Sequence, residues 1–131
     1  MEKTKLKTKK LKFNHFNIEI LLLPDDDERY VFKCGEDIHE INGDEFACCF
    51  EGSRTKPFGI AFRHGADSYV VVHECWHLFF KILRYMGGYT QRFCYEVFES
   101  EIYAYRFSDL YKMVYDTLKQ LDKDEPKENG K

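Results

Sequence analysis

The sequence has no cysteine pair at C-x-x-C spacing, no internal repeat, no excess of charge of either sign and no uninterrupted apolar run of membrane-spanning length. Each absence excludes something. Five cysteines, Cys34, Cys48, Cys49, Cys75 and Cys94, are an odd number at irregular spacing, which fits neither a disulfide framework nor a thiolate zinc knuckle. They read as small buried hydrophobes of a reducing cytoplasm. The stretch from Tyr69 to Met86 is interrupted by His73, Glu74, His77, Lys81 and Arg84, which excludes a transmembrane helix. The lysine-bearing N-terminus is not followed by an apolar segment and a small-residue cleavage site, so no secretory signal is read there. A formal charge of −3 gives no global reason to expect nucleic acid or a membrane as partner.

What is present is a chain long enough, at 131 residues, for one sizeable core, with 44% hydrophobic and 17% aromatic residues to fill it. The opening "MEKTKLKTKKLK" holds six lysines with no interleaved aromatics. Residues 1–12 therefore read as a solvated, flexible basic arm rather than a nucleic-acid grip. Residues 13–121 form the single domain, and the polar 122–131 is a tail without core residues.

Within the domain, "KFNHFNIEILLL" and "YVFKC", separated by the acidic "DDDER", read as two strands of a hairpin. Asn42-Gly43 is a turn pair between "DIHEI" and "FACCFEG". "FGIAFR", residues 58–63, alternates large and small residues as a half-buried strand does, with Gly59 inviting close approach by a backbone or a ligand. After Asp67 or Ser68 as cap the period changes to that of a helix, stopped near Met86 by Gly87-Gly88. A second helix starts between Thr90 and Glu96 and runs to about Leu121. Strands first and helices after predict an α+β domain, an antiparallel or mixed N-terminal sheet covered on one face by the two helices.

The first helix carries "HECWH". At about 100° per residue, His77 lies about 40° and Glu74 about 100° from His73, so the three share one face. Two imidazoles one turn apart suit adjacent corners of a tetrahedral zinc site. The glutamate stands beside them, able to take a proton from a water that the cation polarises. The helix is apolar almost all round, and two imidazoles and a carboxylate left unpaired in such surroundings would cost several kcal/mol. A bound cation removes that cost; a metal-free hydrogen-bonded cluster is the competing reading.

A catalytic zinc takes three protein ligands. "EVFESEIYAYRF", residues 96–107, offers Glu96, Glu99 and Glu101. Glu101 shares a helical stripe with Phe98, Ala104 and Tyr105, whereas Glu99 and Glu96 fall on the far side, so Glu101 is the expected third ligand. Pairing of Glu101 with a cation such as Arg84 or Arg106 competes with this. Tyr105, ahead of Tyr103 and His64, is the candidate for contact with the transition state or substrate, against plain core packing.

"HECWH" together with "ESEIYAY" resembles the zincin metallopeptidases in the gluzincin arrangement, two histidines and a downstream glutamate. Phe80 and Leu83 stand where the metzincin branch has glycine and histidine. The compact layout is similar to minimal zincins found near phage and mobile-element regulators, including short phage-encoded HExxH proteins. The resemblance covers residues 73–107. It implies His73, His77 and Glu101 as Zn2+ ligands, Glu74 as general base, a peptide or protein as substrate, and "FGIAFR" as the edge strand that aligns it. It equally allows a non-catalytic, zinc-stabilised domain that binds a protein partner.

Overall fold

The computed structural model describes residues 6–13, 15–24, 29–87 and 101–123, with side chains at all of these except 87, 101 and 102. Its elements are β1 (Lys7–Phe13), β2 (Phe16–Leu22), β3 (Tyr30–Cys34), β4 (Asp37–Ile41), β5 (Ala47–Phe50), β6 (Phe58–Phe62), α1 (Ser68–Gly87) and α2 (Glu101–Lys123). The fold is α+β, with the sheet N-terminal and the helices after it, as the order of periodicities predicts. Four strands form a mixed sheet in the order β1-β2-β6-β5, and β3 and β4 pair separately.

The expected hairpin is placed differently. The turn comes earlier, between Phe13 and Phe16, so that β1 and β2 pair along their whole length from Lys7↔Leu22 to Phe13↔Phe16. His15 takes φ 74° there, a left-handed conformation that a two-residue hairpin turn demands. Lys7 to Lys12 therefore belong to a strand and not to a flexible arm, and residues 1–5 of the expected arm lie outside the described residues. Freed from β2, β3 pairs with β4 through a turn at Gly35 (φ 64°), and β2 runs parallel to β6. Asn42 opens the expected turn after β4, its carbonyl accepting from the Glu45 amide at 3.1 Å.

Two cores lie on the two faces of the sheet. Ile18, Ile20, Leu22, Phe58, Ile60 and Phe62 face the helices, where Val71, Cys75, Leu78, Ile82, Leu110 and Val114 meet them. Leu21, Leu23 and Ala61 face the β3–β4 hairpin through Phe32, Cys34 and Ile41. Both faces being covered, β6 is buried at every position, not at alternate ones. The space at Gly59 is filled from within: a Cβ there would lie 2.5 Å from Cys34 Sγ and 2.8 Å from Phe50 Cδ2. Buried Glu19 helps seat the hairpin, accepting from the Gly35 amide at 3.2 Å.

Arg63, at the exit of β6, is 6% exposed. Its guanidinium donates to the carbonyls of Glu45 (2.7 Å) and Asn42 (2.8 Å), and its amide to that of Phe46 (3.0 Å), so it holds the turn that leads into β5. Hydrogen bonds to charged groups contribute about 1.5–3 kcal/mol each, and truncation strands the carbonyls they satisfied. Arg63→Ala is accordingly expected to destabilise the fold by about 2–4 kcal/mol. The check is a fall in the urea midpoint at unchanged m-value.

α1 begins as the sequence predicts. Asp67 Oδ1 accepts from the Val70 amide at 3.0 Å, satisfying one of the orphan donors of the first turn. The predicted start of the second helix, between Thr90 and Glu96, lies outside the described residues, as does the tail from 124 onward. The helix itself runs on to Lys123, two residues past the expected end. No described helix is long and apolar enough to cross a membrane.

Candidate metal centre

The buried stripe of α1 runs through Val71, Cys75, Leu78, Phe79 and Ile82, steps of three and four that track one side of a helix. His73 and His77 sit about 160–200° round from that stripe, and both are exposed. This corrects the expectation that the motif lies in a dry core. The helix is apolar beyond its buried stripe because Tyr69, Val72, Trp76 and Phe80 carry hydrophobic surface round its flank, with Tyr69 79% exposed. Burial therefore does not force the two histidines to find a partner, and their fitness for a metal rests on geometry.

That geometry is favourable. The Nε2 atoms of His73 and His77 face one another 3.3 Å apart, their rings 4.8 Å between centroids and nearly perpendicular. Two nitrogens each about 2.05 Å from a tetrahedral zinc stand about 3.3 Å apart. The same 3.3 Å is also hydrogen-bond distance between the two rings, so the separation admits such an ion without requiring one.

Glu74 is half-buried and turned to the side of the pair, against β5. Its charge reaches Cys49 and Cys48 on that strand and Cys75 on its own helix. Burial first pushes all three thiols up to about 12, helped by Glu45 and then Glu74 at Cys48, by Glu74 at Cys49, and by Cys49 and then Glu74 at Cys75. The strand beside the motif is therefore β5, an edge of the sheet, and not "FGIAFR", which as β6 is interior. The sequence pattern favours β6 because β5 is only "ACCF", four residues with no alternation, whereas β6 has the stronger strand pattern.

No known family matches. Comparisons of the chain with models of protein families, with curated proteins and with solved structures all return no match.

The remaining predicted site residues are not brought together. Glu101 opens α2, but its side chain lies outside the described residues, as do Glu96 and Glu99 entirely. Among the described residues no three His, Cys, Asp or Glu side chains gather closely enough to hold a metal ion. Tyr105 is 68% exposed and Ala104 is exposed too, so the stripe assigned to the protein interior is the outer one. The inner stripe of α2 steps through Tyr103, Phe107, Leu110, Val114, Leu118 and Leu121. Phe98 to Tyr105 alone is too short a window to distinguish the two phases. His64 is occupied elsewhere, its Nδ1 3.4 Å from Asp122 Oδ1 at the end of α2.

One feature of the site was not read from the sequence. Tyr69, Val72, His73 and Trp76 line a cleft of about 320 Å³ with Phe107 of α2 as its far wall. The rings of Trp76 and Phe107 meet edge to face at 5.1 Å. The spacing i, i+3, i+4, i+7 from Tyr69 marks these residues as one helical face, a signal that becomes meaningful once Tyr69 is known to be exposed.

Proposed function

We propose that this protein is a zinc-dependent metallopeptidase of zincin type, acting on a peptide or protein in the cytoplasm. The observation that carries the reading is the 3.3 Å separation of the His73 and His77 Nε2 atoms on an exposed face, with Glu74 beside them along the sheet's edge. His73 and His77 would hold the ion, and Glu101 would be the third ligand by its place in the motif alone, since the stripe of Ala104 and Tyr105 that selected it over Glu96 and Glu99 is not the inner one of α2. Zinc, when bound, would supply Lewis acidity toward the scissile carbonyl.

The chain's own residues account for the rest. Glu74 takes a proton from the attacking water and delivers it to the leaving amine nitrogen, so that one carboxylate serves as base and then as acid. β5, an edge strand among the described residues, would offer backbone groups to an extended substrate. The cleft walled by His73, Trp76 and Phe107 suits a large apolar side chain next to the bond to be cut. The cytoplasmic setting is supported by the free thiols of Cys34, Cys48, Cys49 and Cys75.

Metal analysis of the purified protein tests the site. The wild type is expected to carry stoichiometric zinc, and His73→Ala, His77→Ala and Glu101→Ala each to lose it. Even outer partners of zinc ligands are worth about 10–100-fold in affinity, so removal of a ligand should exceed that. Zinc content unchanged in either histidine variant overturns the assignment; unchanged content in Glu101→Ala alone moves the third ligand elsewhere.

A further inference from the structure

The lysines of the N-terminal segment have no part in the centre above, yet the fold gives them an ordered position. β1 is the other edge of the sheet, seven residues long and paired with β2 over its whole length, so among the described residues the backbone N–H and C=O groups of alternate β1 residues face outward without a strand partner. Lysines flank that row on both sides. Lys9 shares a strand face with Leu11 and Phe13, which pack toward the helices, while Lys10 and Lys12 occupy the opposite face. Lys7 is engaged, its Nζ donating to the Leu121 carbonyl at 3.0 Å, and Lys10 stands across from Glu19. Lys9 and Lys12 are exposed, and among the described residues no carboxylate pairs with them.

We infer that the outer edge of β1 is a docking strand for an extended acidic peptide, which would add to the sheet through backbone hydrogen bonds while its carboxylates meet Lys9 and Lys12. Lysines on an edge commonly serve to keep strands apart. That protection is selective: like charge repels a second copy of β1 and attracts an acidic strand. Among the described residues β1 is neither short nor interrupted in its register. A sheet edge also favours a peptide over a nucleic acid, because its ladder of donors and acceptors repeats at the spacing of a polypeptide and not of a phosphate backbone.

The probe is a blocked poly-L-glutamate peptide of about eight residues, the length that spans such a strand. The controls are its D-enantiomer and oligothymidylate of equal charge, all at physiological salt with the full chain. The L-peptide is expected to bind, to slow amide exchange at alternate residues of β1, and to lose about tenfold or more in affinity in Lys9→Glu/Lys12→Glu. Both substitutions are at exposed positions, and Lys9→Gln/Lys12→Gln should give a smaller loss in the same direction. No binding of the L-peptide, equal binding of the D-peptide or of the oligonucleotide, or exchange slowed elsewhere than β1 would each overturn the inference.

Discussion

Glu74→Gln is expected to retain zinc and to lose peptide hydrolysis by about 100- to 10,000-fold in kcat, the range general-base removal ordinarily costs. Glutamine matches glutamate in shape and half-buried position, so the packing of α1 against β5 should survive; what it cannot do is accept a proton. By helical phase Glu74 lies about 60–100° round from the two imidazoles, and its carboxylate interacts with Cys49 of β5, which is why the metal content should be indifferent to the change. The measurement is single-turnover cleavage of a casein-type substrate beside metal analysis of the same sample. Cleavage persisting in the variant would sink the mechanism, and loss of zinc along with cleavage would make Glu74 a ligand instead of a base.

The largest effect on stability is expected from Phe58→Ala. Phe58 begins β6, is fully buried, and meets Phe16 of β2 edge-on at 5.5 Å and Tyr85 of α1 at 6.1 Å. Its ring thus joins the central strands to the C-terminal half of α1. Truncating a buried phenylalanine costs about 3–5 kcal/mol, lost transfer energy plus an unfilled cavity. Against a total of about 5–15 kcal/mol for a domain, that is a large share. A fall in Tm of about 10–20 °C by calorimetry is the expected readout. A fall of only a degree or two would mean that the ring is not packed as described.

How much of this was legible beforehand differs from element to element. The start of α1 could be read to the residue, because its signal is local: Asp67 caps its own first turn, and the helix is described as far as Gly87. β6 could be found but not placed, since its alternation resembles that of a half-exposed strand and only its neighbours on both faces bury it throughout. The hairpin went astray at a turn with no glycine, where His15 adopts the left-handed conformation usually left to other residues. In the site, the shared arc of His73, Glu74 and His77 followed from helical period alone. The direction of that arc did not, because a helix apolar on most sides has no unambiguous inner face until a sheet and a second helix are packed against it.

By itself, then, the sequence determined the α+β order of elements, the start of α1 and the presence of two imidazoles and a carboxylate on one helical face. These depend on neighbours within about one turn of chain. Tertiary structure alone decided that the histidines face outward, that β5 and not β6 runs beside Glu74, and that Tyr105 points away from the core. Each of those depends on which surface of an element is covered by another far away in the chain. Local periodicity can show that an element has faces; only packing selects the one that is buried.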